Sequence, residues 1–211
     1  GDRARAVAET VKTNAWRFMM RAEPFAEGDA AAERTTFRSV LRGILTDNRD
    51  LGHELSGIAD EGQQITPVMN SVRDFEFADR LAYYRTHRVD EQRAWYARKA
   101  ASNRRAGAQW FAAIVILQAG AILFTILRVA APNGPFWPTE IFVVAAGSAL
   151  AWTQARRFRE LAASYALTAH EIGLARSEMD DIESPEGLSK FVEDTEGVFS
   201  REHARWVVRK K

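Results

Sequence analysis

The stretch AGAQWFAAIVILQAGAILFTIL, residues 106–127, runs for 22 residues without an Asp, Glu, Lys or Arg. Arg104 and Arg105 stop it on one side and Arg128 on the other. A helix rises 1.5 Å per residue and a hydrocarbon core is about 30 Å thick, so roughly 20 apolar residues are enough to cross it. A second stretch, FWPTEIFVVAAGSALAWTQA (136–155), is weaker, because its uncharged part starts only after Glu140 and runs fifteen residues. For this to be a span, Glu140 must lie at the outer interface or be paired. Residues 106–155 hold only Arg128 and Glu140 as charges, so the mean hydropathy of −0.29 averages two unlike regions.

Two features favour a membrane hairpin over the alternative, a buried hairpin in a soluble helical bundle. Trp110 opens the first segment and Trp152 closes the second, while Phe136 and Trp137 lie at the opposite end, as aromatic belts do. Arg98, Lys99, Arg104 and Arg105 precede the first segment, and Arg156, Arg157 and Arg159 follow the second. The connection VAAPNGPFWPT carries no charge. Lys and Arg stay cytoplasmic, so both termini are expected in the cytosol and the loop outside. Asn133-Gly134 is the expected turn and Pro138 an expected first-turn residue of the second helix.

The 211 residues suffice for one or two domains. With 29 Lys+Arg against 28 Asp+Glu, the net charge of +1 gives no basis for nucleic-acid binding. No Cys is present, which excludes disulfides, thiolate zinc sites and a Cys nucleophile. The chain opens on Gly with no apolar signal-peptide core, which leaves room for an upstream domain.

Outside the hairpin the pattern is helical throughout, so the fold class is all-α: a two-transmembrane hairpin with cytosolic helical extensions forming a bundle. Ala6, Val7, Val11, Ala15, Phe18 and Met19 recur at helical spacing in 3–22, and Pro24 and Gly28 break the pattern. A second helix is expected over about 30–60. Asn70, Ser71 and Asp74 are start signals for a long helix that runs from Phe77 into the first apolar segment. After the hairpin come a charged amphipathic helix over 156–181 and a last helix from about 185 to 207, with Ser184 as N-cap and Pro185 at its first position. The expected division is an N-terminal cytosolic segment (1–76), a stalk helix (77–105), the hairpin (106–155) and C-terminal cytosolic helices (156–211), with the terminal helices packed on the stalk.

No catalytic signature is legible. His53, His87, His170 and His203 are scattered, with no partner at metal-ligand spacing, and no phosphate-binding loop or nucleophile elbow occurs. The expectation is a protein that is not an enzyme and carries no cofactor or metal. A helical enzyme using scattered carboxylates is the distant alternative.

Gln118 and Thr125 share one face of the first span, and Glu140, Gly147 and Gln154 share a face of the second. Polar residues on a stripe face another helix or water rather than lipid. They are candidates for a pore lining or, equally, for interhelical hydrogen bonds. The run Ala145 to Ala149 permits close helix approach. In YRTHRVDEQRAWYARKAASNRR (84–105), Arg88, Gln92, Trp95, Tyr96, Lys99 and Asn103 recur every three or four residues. This is a candidate polar packing band, with a snorkelling interface helix as the alternative.

Gln92, Trp95-Tyr96, Lys99-Ala100 and Asn103 ahead of a two-span hairpin resemble the SLATT family, the SMODS and SLOG-associating two-transmembrane effector domains. FSREHARW (Phe199 to Trp206) looks like the family's terminal helix, and KTNAWRFMMRAEPF (Lys12 to Phe25) resembles the segment often found ahead of the hairpin. The resemblance implies a membrane effector of bacterial conflict systems that forms a pore or breaches the cytoplasmic membrane when a linked sensor is activated. It implies a nucleotide-sensing partner of SLOG or TIR type, upstream or separate. Two helices cannot enclose a water path, so a pore requires a homo-oligomer in the lipid bilayer. The alternative is a non-conducting anchor or scaffold for a sensor or effector domain.

Overall fold

The computed structural model describes residues 2–26, 28–48, 64–134 and 136–208; the side chains of Asp2, Arg5 and residues 200–208 lie outside the description. All regular structure among the described residues is helical. The order is α1 (Asp2–Met19), α2 (Ala30–Asp47), α3 (Pro67–Arg73), a long α4 (Phe77–Ala130), α5 (Thr139–Arg156), α6 (Phe158–Glu178), a 3₁₀ turn (Met179–Asp181) and α7 (Pro185–Val208). Chain contacts divide the protein into two compact units, residues 1–90 with 174–211, and residues 91–173.

In the first unit, local signals start the helices. Asp29 caps α2, its Oδ1 accepting from the Ala31 and Ala32 amides at 3.0 and 2.7 Å. The helix expected over 30–60 is seen to Asp47, and its expected continuation lies outside the described residues. Thr66 caps α3 and Pro67 takes its first position, with Thr66 Oγ1 accepting from the Met69 amide at 3.2 Å. Asn70 and Ser71 therefore lie inside a short helix and Asp74 ends it, because the Thr-Pro pair upstream claims the start. The long helix then opens at Phe77. Ser184 Oγ accepts from the Gly187 amide at 3.1 Å, and α7 begins at Pro185, as the sequence predicts.

Phe18, Phe25, Phe37, Leu41 and Ile65 form one core, with ring centroids 4.9–5.9 Å apart among the three phenylalanines. Each such buried side chain contributes about 1.5–3 kcal/mol. Arg73 closes this core. It donates to the Phe18 carbonyl, donates to the Phe25 carbonyl at 3.0 Å, pairs with Glu33 and lies 4.7 Å over the Phe18 ring. Burial pushes its guanidinium below the usual range, and Glu33 offsets only part of that.

In the second unit, α4 and α5 pack as an antiparallel hairpin. Arg128 meets Glu140, Phe124 meets Phe142 and Trp110 meets Trp152, so positions rising along one helix fall along the other. Gly120 makes room for a ring of α5: a Cβ there would lie 2.7 Å from the Phe142 side chain. Gly147, expected in the close-approach run, faces open space, while Ala146 and Ala149 beside it are buried. The turn is centred on Pro132 and Asn133, closed by the Gly134 amide on the Ala131 carbonyl at 3.2 Å, with proline at the position it favours.

Among the described residues, α4 is the one helix long and apolar enough to cross a membrane, with an 18-residue window of mean hydropathy 2.3 that is 6% buried. The helix α5 stays below that mark, because Glu140 and Arg156 bracket its apolar run.

Candidate functional site

The hairpin is apolar on the outside. Phe111, Ile116, Ile122, Ile126 and Val129 on α4, and Ile141 and Val144 on α5, are all exposed. Water would oppose such a surface, so it requires lipid or protein cover. Trp110 and Trp152 have ring centroids 6.5 Å apart at one end. At the other end Arg128 Nη1 donates to Glu140 Oε1 at 3.1 Å, which provides the partner that Glu140 requires. Gln118, Thr125, Glu140 and Gln154 are all exposed. Thr125 Oγ1 donates to the Ala121 carbonyl of its own helix at 2.8 Å. Among the described residues Gln118 has no hydrogen bond to α5.

The six residues of the polar band fall into different surroundings. Arg88 and Val89 lie in a π-helical stretch, Arg85–Asp90, whose wider turn brings two consecutive side chains into the core of the first unit. The other five belong to the second unit. Tyr96 is buried and stands edge-on to Trp95, centroids 4.9 Å apart. Tyr165 of α6 lies 6.0 Å from both rings. Trp95 keeps 37% of its surface exposed, with the Lys99 ammonium 5.5 Å over its ring. Asn103 Nδ2 donates back to the Lys99 carbonyl at 2.9 Å, and Gln92 is half-buried.

Arg88 leads to a feature the sequence reading missed. Glu196 of α7 has no exposed surface and accepts four hydrogen bonds. Arg88 Nε and Nη2 donate at 2.7 and 2.6 Å, one to each oxygen; Tyr84 Oη and Thr13 Oγ1 each donate at 3.0 Å. The carboxylate thereby ties α1, the start of α4 and α7 together. Burial opposes the charge on Arg88, but Glu196 outweighs it and holds the guanidinium above its usual range. Burial, and then the Glu196 charge, raise the Tyr84 phenol well above its usual value, so it remains a donor. The legible signal was a carboxylate within an apolar stripe: Leu188, Val192, Glu196 and Phe199 recur at three- and four-residue steps and are all buried.

Among the described residues no group of three His, Asp or Glu stands close enough to hold a metal ion. His53 lies outside the described residues, and so does the side chain of His203. No curated protein and no solved structure matches the chain. Two family models do. SMODS and SLOG-associating 2TM effector domain 1 matches residues 84–206, and SMODS and SLOG-associating 2TM effector domain 3 matches residues 2–81. The exposed apolar helix and these matches place the protein at a membrane. The chain belongs to the SLATT family, the two-transmembrane effectors of bacterial conflict systems.

Proposed function

We propose that this protein is a non-enzymatic, homo-oligomeric effector of a bacterial defence system that opens a pore in the cytoplasmic membrane. In this reading α4 and α5 both cross the bilayer, both termini are cytosolic, and a nucleotide-sensing partner of SLOG or TIR type triggers opening. The observation that carries it is the exposed outer face of the hairpin, apolar along both helices yet bearing Gln118. A polar side chain there is stable only against another copy or water. The Trp110–Trp152 pair and the basic residues beside it support an inside-facing end.

Ion flux from liposomes containing the protein tests the pore. Flux that appears on assembly supports it, and tight vesicles reject it. A Cys at Asn133 should react with an impermeant maleimide from outside and one at Glu186 should not; equal labelling rejects the topology. The second reading, a non-conducting anchor for a sensor or effector, has one observation in its favour. Thr125 spends its hydroxyl on its own helix, which leaves few polar groups for a water path.

A further inference from the structure

Within the second unit, a groove of about 1240 Å³ lies between α4 and α6, which come together at Gly107, where a Cβ would lie 3.4 Å from the Phe158 Cβ. The facing walls are small: Ala97, Ala100, Gly107, Ala162 and Ala166. Helices faced with such residues can pack closely, so the space between them is suited to an occupant. Tyr165 against Trp95 and Tyr96 props one end.

The lining is segregated along the axis. Arg93, Arg104, Arg157 and Arg159 line one part, and Phe111, Ile114 and Leu150 line another. Ten residues separate Arg104 from Ile114, about 15 Å of helix. The Trp110–Trp152 pair lies between, at the level where aromatic side chains meet headgroups. Glu160 is the lone carboxylate of the lining, and it sits 3.4 Å from Arg157 in solvent. Among the described residues, Arg93, Arg104 and Arg159 have no carboxylate within ion-pair distance. Arg157 reaches the groove from a left-handed backbone, φ 48°, at the junction of α5 and α6.

A cationic end over an apolar end fits an anionic amphiphile. A free anion would leave the apolar part empty, and a helix from a second copy would leave the arginines uncompensated. We propose that this groove binds one anionic phospholipid of the inner leaflet. Its phosphate sits among Arg104, Arg157 and Arg159, and an acyl chain lies over Phe111, Ile114 and Leu150. The proposal rests on the membrane-spanning reading above.

The test uses the full chain in detergent micelles, titrated with phosphatidylglycerol or phosphatidylcholine, with bound lipid counted by native mass spectrometry. Phosphatidylglycerol should bind at least ten-fold more tightly, one per protomer. Replacing Arg104→Gln, Arg157→Gln and Arg159→Gln together should abolish that preference. Ala166→Phe, which fills the groove without changing charge, should reduce retention of both lipids. Glycerol 3-phosphate should not compete. Equal binding of the two lipids by the unaltered protein overturns the proposal, as does a preference that survives the arginine replacements. Competition by glycerol 3-phosphate would show a free-anion site, and lipid-free protein whose Ala166→Phe variant changes oligomer size would show a protein occupant; either rejects the lipid. Flux on the same preparations separates the two readings: absent flux with intact lipid preference rejects the pore alone. Failure to float with vesicles rejects both.

Discussion

Glu196 and Glu140 both pair with an arginine, in opposite surroundings. In the first unit Glu196 is wholly buried, Arg88 is 1% exposed, and two further donors complete the carboxylate. In the second unit Glu140 is 71% and Arg128 57% exposed, and they meet through one hydrogen bond. The first unit is built as a water-soluble protein is, with apolar groups and satisfied polar groups inside. The second turns its apolar side chains outward and keeps its charges at the ends. An ion pair in the first region specifies how three helices fit together, whereas the one in the second joins two exposed helix ends across a short turn.

The largest loss is expected at Glu196. Glu196→Ala strands a buried guanidinium and should cost about 3–5 kcal/mol, read as a lowered melting temperature in detergent. Replacing Glu196 and Arg88 together by Leu and Met should cost less than Glu196→Ala alone, since no charge is then left unpaired. A fully additive double change would mean that the pair is not coupled.

Next comes the aromatic group of the second unit. Tyr96→Ala empties a buried site and should cost about 3 kcal/mol. Trp95→Ala, at a partly exposed ring, should cost nearer 1 kcal/mol, and Arg93→Ala should stay within about 0.5 kcal/mol. Equal melting behaviour of the three variants would show that the group is wet.

Tyr84→Phe sharpens the contrast through pH. Losing a hydrogen bond to a charged group costs about 1.5–3 kcal/mol. The folded phenol holds its proton above the usual value, so its contribution is fully present below about pH 10 and is lost as pH rises through the raised folded value. Alkaline destabilisation should therefore be shallower in Tyr84→Phe than in the unaltered protein, as followed by melting temperature against pH.

Gln118→Leu should leave folding, insertion and oligomer size intact, because Leu suits both lipid and helix packing. Flux on activation should fall as the path dewets. Unchanged flux from an intact oligomer would remove Gln118 from the lining. The smallest effect belongs to Arg128 and Glu140. An exposed pair contributes at most about 1 kcal/mol, so replacing both by Gln should barely move the melting temperature.

The order of the helices, their N-caps at Asp29 and Ser184, the proline at the first position of α7, and the long uninterrupted helix into the apolar segment follow from local rules. Periodicity and capping act over one or two turns and leave their mark on neighbouring residues. The match between Arg128 and Glu140 was legible too, because a short loop brings both to one end of a hairpin. The buried Glu196 was not foreseen. Its four donors come from positions 13, 84 and 88, and no local rule separates a carboxylate that is satisfied inside from one on a solvated face.

By itself, then, the amino-acid order determined that the protein is helical, that one segment is too apolar for water, and that cations gather at one end of it. These properties depend on residue type and spacing along a single helix. Only the tertiary structure decided that Arg88 leaves the polar band for a buried carboxylate, that Gly120 rather than Gly147 makes room for a ring of the facing helix, and that α4 and α6 border a groove. Each depends on which side chains from distant positions share a space, and that is set by packing rather than by periodicity.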